Sequence, residues 1–262
     1  MPNRTPPRVA RLACIVAVVA VLPLGLSRCS DATGSGERLL VGADITVGNG
    51  TAHTEVRVNR SGEPLSMTVV LTETGLSGLP ATMPFTEFVL PLPAEPSGTP
   101  VKHVTLDWHP GGHNPPGVFN VPHFDVHYYM ITPPQRDAIT PADPQFAAKS
   151  VLKPAADLIP AAYTGDPFAI PRMGVHYTDP NAPERKGQGL TLTFIYGFYN
   201  GEMIFLEPMA SRSFLDTKAS VVANLALPAR YQVPGFYPTR HGVRYDPAAK
   251  VYRFELLDFI SR

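Results

Sequence analysis

The sequence predicts a mainly β fold: an antiparallel barrel or sandwich with a few short helices, in a single domain. Three observations lead to this prediction. Runs rich in β-branched and aromatic residues recur along the chain. In two places an Asn-Gly pair separates two consecutive runs, which is typical of a hairpin. Helical sequence is confined to residues 133–162. Strands joined by tight turns, with few helices between them, are typical of antiparallel sheets.

The first half of the chain contains five strand candidates and a long loop. Asn49-Gly50 can adopt the positive φ angles of a tight turn, so we expect a hairpin around it. Residues 108–120 contain three prolines and three glycines and are predicted as loop. The predicted strands are Ala43–Val47, His53–Val58, Leu65–Leu71, Pro84–Leu92 and His103–Trp108.

The segment Phe124–Ile131 alternates between two kinds of side chain, as successive residues of a strand do. One face is almost wholly apolar, and the other carries ionisable groups. The predicted faces are Phe124, Val126, Tyr128 and Met130 on one side and His123, Asp125, His127, Tyr129 and Ile131 on the other.

The second half begins with the helical stretch, which prolines break into Pro134–Asp137 and Asp143–Ser150. Asn200-Gly201 is the clearest hairpin turn in the chain. It joins the predicted strands Gly189–Tyr199 and Glu202–Glu207. Residues 212–247 are predicted to be irregular, and Lys250–Ile260 is predicted to close the chain as a strand.

The second hairpin predicts the position of one carboxylate. A two-residue turn would place Glu207 on an otherwise apolar and aromatic face. A carboxylate there has to be neutralised, paired with a cation or bound to a metal. The alternative is that Glu207 reaches water at the strand end or meets Arg212. The predicted register is Phe198 with Met203, Tyr196 with Phe205, and Phe194 with Glu207.

Five of the eight histidines lie between His103 and His127, and histidine is a common metal ligand. His123, Asp125 and His127 share one predicted strand face. Residues two apart on a strand are about 6.7 Å apart and residues four apart about 13 Å. Neighbouring pairs can therefore share an ion, whereas the two histidines would need a bulge. The alternative is a polar, solvent-facing half of an edge strand.

Two further histidines are candidates because the fold could bring them to this face. His113 lies in the loop before the strand, and His176 could arrive on another strand. His103 and His109 are interpreted as strand-surface and loop residues. The sequence assigns no catalytic residue; the predicted ligands of zinc or another divalent metal are His113, His123, Asp125, His127, His176 and Glu207.

Residues 1–28 predict a signal peptide, with three arginines followed by an apolar run of 15 residues from Leu12 to Leu26. Such a run is shorter than the roughly 20 residues of a spanning helix. The sequence around Cys29 resembles a bacterial lipobox, although Arg28 stands where a small residue is expected. We expect Cys29 to be lipidated and residues 29–37 to form a tether. Ordinary cleavage, with Cys29 incidental, is the alternative.

The predicted domain, residues 38–262, is expected outside the cytoplasm: in the cell envelope, on the outer face of the membrane, or secreted. Four of the 22 basic residues and none of the 22 acidic ones lie in residues 1–28, so the remainder has four more acidic than basic residues. This excess argues against nucleic acid as a partner. The membrane is the expected partner, through lipid at Cys29.

Three segments resemble a family of exported bacterial proteins that carries only a placeholder, domain-of-unknown-function name. They contain PHFDVHYY, MGVHY and YGFYNGEMIFLEPM. The resemblance implies a mostly β extracytoplasmic domain with His-rich signatures and no assigned activity. Two functions stay open: a divalent-metal protein, either a metal-dependent hydrolase or only a metal binder, and a metal-free envelope binding or structural module, including a homo-oligomeric one.

Overall fold

The structure is a computed structural model that describes Met1 and residues 36–95 and 97–262. The predicted signal peptide and Cys29 lie outside these residues, apart from Met1, and stay predictions. Among the described residues, no helix has both the length and the apolar character needed to span a membrane.

The described residues form short strands and three one-turn helices. The strands are β1 (Arg38–Val41), β2 (Ile45–Val47), β3 (Gly50–Val58), β4 (Pro64–Thr72), β5 (Thr86–Leu90), β6 (His103–His109), β7 (His123–Tyr129), β8 (Thr164–Gly165), β9 (Val175–Thr178), β10 (Leu192–Tyr199), β11 (Glu202–Ser211), β12 (Val221–Asn224), β13 (Phe236–Tyr237), β14 (Arg240–Asp246), β15 (Val251–Leu257) and β16 (Ile260–Ser261). The helices are α1 (Pro133–Asp137), α2 (Phe146–Ser150) and α3 (Arg212–Asp216).

Two seven-stranded antiparallel sheets face each other. Sheet I has the order β1-β3-β4-β15-β14-β12, with β2 also paired to β3. Sheet II has the order β5-β6-β7-β11-β10-β9-β8. The mainly β prediction is therefore confirmed, and the sandwich is the alternative that the chain adopts. The predicted short helices are also present, as α1 and α2.

The first core lies between the two sheets, and alternate residues of each strand fill it. In sheet II, Phe124, Val126 and Tyr128 of β7 point into it and are fully buried. The ring of Phe124 meets Phe254 of sheet I, and the Tyr128 hydroxyl donates to the Phe254 carbonyl at 3.2 Å. Burying side chains of this size stabilises the fold by roughly 1.5–3 kcal/mol each, so β7 is anchored by its apolar face.

A second core covers the opposite face of sheet II. The long connections between the strands of sheet II supply apolar side chains that pack against residues of the sheet, including Phe205. These side chains are Phe119, Ile139, Met173 and Leu190. The centre of sheet II is thus covered on both faces. Since β7 lies between β6 and β11 and its seven residues are all buried, the solvent-facing edge strand considered from sequence is wrong.

The first hairpin turns one residue earlier than predicted. Val47 pairs with Gly50, so Gly48 and Asn49 form the turn. Gly48 has φ of 53°, and a Cβ there would lie 2.1 Å from the Ser77 carbonyl oxygen. A glycine with positive φ at the first turn position is typical of a type II′ hairpin. The close approach of Ser77 therefore selects Gly48 for the turn.

The second hairpin has the predicted turn but a different register. Asn200 and Gly201 both have positive φ, and Phe198 pairs with Met203 as predicted. A bulge then pairs Gly197 with Phe205 and Tyr196 with Leu206, so the predicted pairing of Tyr196 with Phe205 is wrong. The bulge forms because Gly197 has no Cβ, and the Phe205 ring occupies that space, with ring atoms 2.1 Å from where a Cβ would stand.

The bulge moves Glu207 relative to its partners. Glu207 pairs with Ile195, and Phe194 pairs with Pro208, so the predicted pairing of Glu207 with Phe194 is wrong. Phe194 points into the first core, whereas Phe205 belongs to the second. Glu207 lies on the same face of β11 as Phe205, which confirms that part of the prediction. It is buried, at 1% exposure.

The prediction of an irregular segment from 212 to 247 is also wrong. It contains α3, β12 and β14, and β14 pairs along its whole length with β15. Its sequence RHGVRYD has little strand propensity by itself. Pairing between two neighbours in sheet I stabilises the strand, and this tertiary effect outweighs local preference.

Candidate metal centre

The second-core face of sheet II carries buried ionisable side chains on two adjacent strands. The register of β6 and β7 places His109 opposite His123, Asp107 opposite Asp125, and Thr105 opposite His127. All six residues are at most 5% exposed. A sheet face that is covered by loops yet rich in imidazole and carboxylate groups needs specific partners for them, because each unpaired polar group costs free energy on burial.

One group, here called the aspartate site, consists of His109, His113, His123 and Asp125. Their potential ligand atoms all lie within 4.8 Å of one another. The Asp125 carboxylate contacts the Nε2 atoms of His109 at 3.0 Å, His113 at 3.3 Å and His123 at 3.1 Å. Two atoms bound to one ion at about 2.1 Å can be up to about 4.2 Å apart. The three carboxylate–imidazole contacts fall within this limit, and the other atom pairs, at up to 4.8 Å, would need only a small closure around an ion.

Backbone carbonyls fix the tautomers of two of these histidines. His113 Nδ1 donates to the Asn114 carbonyl at 2.7 Å, and His123 Nδ1 donates to the Val121 carbonyl at 2.6 Å. A carbonyl oxygen can only accept, so Nδ1 carries the proton and a neutral ring keeps the Nε2 lone pair. Both Nε2 atoms face Asp125, which is the orientation that metal-binding histidines adopt.

The loop between β6 and β7 brings His113 to this site. The His113 amide donates to the Phe119 carbonyl at 3.1 Å, and Gly112 has φ of 68°. A Cβ on Gly112 would lie 2.1 Å from the same carbonyl oxygen. Phe119 is 2% exposed and belongs to the second core. The loop is thus folded back by glycine geometry and by an apolar anchor.

A second group, here called the glutamate site, consists of His127, His176 and Glu207, whose ligand atoms also lie within 4.8 Å of one another. Each histidine presents Nε2 to one Glu207 oxygen at 3.5 Å. On the other side of its ring, His127 contacts Asp107 through Nδ1 at 3.1 Å. Asp107 is fully buried and orients the imidazole, as carboxylates behind metal-binding histidines do.

Phe205 holds the two histidines of the glutamate site. Its ring centroid lies 4.8 Å from that of His127 and 5.4 Å from that of His176. His176 arrives on β9, where it pairs with Gly197, the residue over which Phe205 folds. The bulge in the second hairpin therefore positions this site.

Electrostatics keep the aspartate site anionic at its centre. Burial would raise the pKa of Asp125, but the imidazoles of His123 and His109 outweigh it and hold the pKa well below its usual range. Burial lowers the pKa of His113, yet the Asp125 carboxylate raises it to about 9. A proton on His113 thus partly neutralises the carboxylate, and a bound cation could replace it.

The glutamate site shows larger opposing effects. Burial raises the pKa of Glu207 to about 8 even though His127 favours its charged form. Burial lowers the pKa of His127, but Glu207 and Asp107 raise it to about 9. Burial, reinforced by His127, lowers the pKa of His176 to about 3, so this ring is neutral and keeps a lone pair for a ligand.

Five of the six predicted ligands lie buried on this face and His113, in the loop, is 27% exposed; the six form two groups rather than one. His123 and His127 belong to different groups, as their spacing predicted, and His127 lies close to His176 and Glu207 as predicted. Arg212 does not meet Glu207; its guanidinium contacts Asp216 and the Leu76 carbonyl. The interpretation of Glu207 as a solvent-reaching strand end is also wrong, since it is buried.

Sequence reasoning missed two residues of this face. His109 was interpreted as loop but ends β6 and contacts Asp125, and Asp107 was not considered. His103 is buried rather than on the surface, and its Nδ1 donates to the Ile131 carbonyl at 2.9 Å. The alternation HVTLDWH, with its polar residues at odd positions, carried the signal that could have found them.

Comparison with known proteins finds one partial similarity. The model of the TTHB210-like family, described as "Hypothetical protein TTHB210", matches residues 59–108. That range includes Asp107 and ends before the other residues of both sites, and the three motifs quoted above lie outside it. No curated protein and no solved structure matches. The partial match is to an uncharacterised family, which fits the placeholder name expected from the sequence and shows neither the quoted motifs nor export.

Proposed function

We propose that this protein binds a divalent transition metal, zinc being the first expectation, at the aspartate site. The carrying observation is the convergence of three imidazole nitrogens on one buried carboxylate. Three histidines and a carboxylate form a four-coordinate set of the kind that zinc accepts. The set supplies four side chains, which suits holding an ion more than activating water for hydrolysis.

The charge balance of the face supports a cation. Asp107, Asp125 and Glu207 are each at most 2% exposed. Among the described residues, their salt-bridge partners are histidines alone, with no arginine or lysine. Three carboxylates buried together would repel one another strongly unless protons or metal ions compensate them.

A metal-free hydrogen-bond network explains this arrangement less well. Several atoms of this face are buried without a hydrogen-bond partner. They include His109 Nε2, His123 Nε2, Asp125 Oδ1, His127 Nε2 and Glu207 Oε2. An unsatisfied buried polar atom costs about 1–3 kcal/mol, whereas binding to one ion satisfies several of these atoms at once.

The cellular place that we propose is outside the cytoplasm, with the chain anchored by lipid at Cys29. The lone Cys after residues 1–28 and the resemblance to exported proteins support this proposal. Oligomeric state and partners other than the membrane stay predictions.

Elemental analysis of the full chain, purified in detergent, tests metal binding directly. We expect at least one equivalent of a divalent metal after loading with zinc and gel filtration. Asp125→Asn should lose an equivalent, whereas His53→Gln, a histidine paired with Asp44 and Glu55 on sheet I, should not. Zinc-free protein of native fold after loading would refute the proposal.

A further inference from the structure

The glutamate site has one side-chain ligand fewer than the aspartate site. Resting on the metal-binding function proposed above, we propose that it is a second, separate metal centre. It holds a divalent ion through His127, His176 and Glu207 and keeps one coordination position for water or a small anion.

Geometry supports a ligand role for all three side chains. Both histidine Nε2 atoms approach the Glu207 carboxylate, each at 3.5 Å from a different oxygen. Glu207 and His127 are at most 1% exposed, and Glu207 Oε2 and His127 Nε2 lack hydrogen-bond partners. The two atoms therefore face a shared buried space in which one ion would satisfy both of them.

Asp107 acts as the positioning residue of this centre. Its contact with His127 Nδ1, at 3.1 Å, leaves Nε2 as the atom that faces Glu207. A carboxylate in this place fixes the ring orientation and raises the basicity of the ligand nitrogen. The aspartate site achieves the same result with backbone carbonyls.

The two centres are separate rather than a bridged pair. No described residue belongs to both groups. Asp125 and His127 are two residues apart on β7, a spacing of about 6.7 Å. Bridged two-metal sites hold their ions about 3.5–4 Å apart. Each centre therefore has its own ligands, and a cation in one should weaken binding at the other through repulsion.

The number of protein ligands gives the second centre its chemistry. Two histidines and one glutamate leave a four-coordinate ion with a position for solvent, as in zinc enzymes that activate water. The ligand expected there is water, hydroxide or a small anion, because buried side chains close the surroundings to larger molecules.

Metal content and cobalt spectra test the inference on the full chain. We expect two equivalents of zinc or cobalt in the wild type and one in Glu207→Gln and in His176→Ala, with Asp125→Asn losing the other one. His103→Gln is the matched control, a buried histidine of the same face outside both groups, and should keep two. Circular dichroism and thermal melts check folding.

Azide then reports the open position. In cobalt-loaded Asp125→Asn, which retains only the glutamate site, azide should shift the visible bands. In cobalt-loaded Glu207→Gln, which retains only the aspartate site, the bands should stay unchanged. Unchanged bands in Asp125→Asn would overturn the open position.

Stoichiometry separates the two proposals. One equivalent in the wild type, lost in Asp125→Asn and kept in Glu207→Gln, would overturn the second centre and leave the proposed function intact. No metal at all would overturn both. If the variants unfold, anomalous scattering from crystals of the zinc-loaded wild type decides: one peak beside Asp125 and a second beside Glu207 support the inference, and a single peak defeats it.

Discussion

Individual residues of this chain show how burial sets chemistry. His241 lies in the first core at 5% exposure, with its ring 4.9 Å from that of Phe194. Burial lowers its pKa to about 4. His53, on sheet I, has a raised pKa because Glu55 and then Asp44 favour its charged form, against the effect of burial. The same residue type therefore contributes to stability with opposite dependence on pH.

His241→Gln should weaken the acid sensitivity of the fold. Between pH 6.5 and 4 the unfolded chain binds the His241 proton and the folded chain does not, so stability falls as pH falls through this window. The depressed pKa corresponds to a loss of at most about 3 kcal/mol. Urea unfolding at pH 7 and pH 4.5, with chelator present, should show a smaller difference in the variant than in the wild type.

His53→Gln is the control with the opposite sign. Its raised pKa contributes stability that is present below pH 6.5 and lost as pH rises through the folded pKa. Removing it should therefore enlarge the loss of stability on acidification. Equal changes in the two variants would show that neither environment is as described.

Gly197→Ala should destabilise the protein by about 1–3 kcal/mol, the usual cost of overpacking. The new Cβ would stand 2.1 Å from the Phe205 ring, and Gly197 has no positive φ, so the effect is steric. Gly111→Ala is the matched control, because its Cβ would meet only Met83 side-chain atoms at 3.7 Å and beyond. Equal free energies of unfolding in denaturant for the two variants would contradict the packing described.

The sequence pattern predicted the orientation of side chains correctly where this depends only on alternation within one strand. Alternation on β7 separated Phe124 from Asp125 correctly, because neighbouring side chains of a strand must point to opposite faces. His109 is predicted as a loop residue instead of a strand residue, because Pro110-Gly111 follows it and indicates that the loop has begun. The spacing of His123 and His127 predicted that they would not share an ion, but the membership of each site could not be predicted, since the position of Glu207 depends on the bulge at Gly197 and Phe205.

At the scale of elements, the loop between β6 and β7 determines whether the aspartate site closes. It supplies His113, and its fold depends on Gly112. Gly117, in the same loop, also has positive φ, but a Cβ there would meet nothing within 4 Å. A substitution at Gly117 therefore introduces backbone strain alone, whereas one at Gly112 introduces the same strain and a steric collision with the Phe119 carbonyl.

Gly112→Ala should lower zinc affinity, whereas Gly117→Ala should leave it close to the wild type. Both variants incur the roughly 1–2 kcal/mol cost of an Ala with positive φ, but only Gly112→Ala collides with the Phe119 carbonyl. Competition with a chromophoric zinc chelator measures the difference. Equal affinities would mean that His113 reaches the site without this loop geometry.

Elements were predictable where turns and alternation are local. Asn200-Gly201 predicted its turn because both residues tolerate positive φ. β14 could not be predicted, because its own residues have little strand propensity and its partners β12 and β15 in sheet I stabilise it. Strand pairing between distant segments is a property of the assembled sheet rather than of the segment.

At the scale of the whole molecule, the sequence left barrel and sandwich open. Both architectures use the same alternating strands, and the order of strands in each sheet distinguishes them. Sheet II brings β7 beside β11, segments that lie some 80 residues apart in the chain. No local pattern predicts that β7 and β11 are adjacent. His127 and Glu207 could therefore be proposed as partners, but their relative position could not be predicted.

Cys29→Ser should release the protein from the membrane fraction. If lipid at Cys29 is the anchor, a chain without that thiol has no other predicted attachment, and no described helix can span a bilayer. Fractionation of cells expressing each form, with mass spectrometry of the N-terminal peptide, measures the effect. A wild-type chain that is already soluble and carries no lipid mass would contradict the prediction.

The coverage of sheet II on both faces determines how an ion would arrive. Amide hydrogens at the centre of β7 and β11 should exchange slowly with solvent, because opening these strands disrupts both cores. His113 is the most exposed side chain of either site, at 27%, and belongs to the loop. Metal uptake at the aspartate site should therefore proceed by brief opening of residues 110–122, at a rate set by that loop and not by global unfolding.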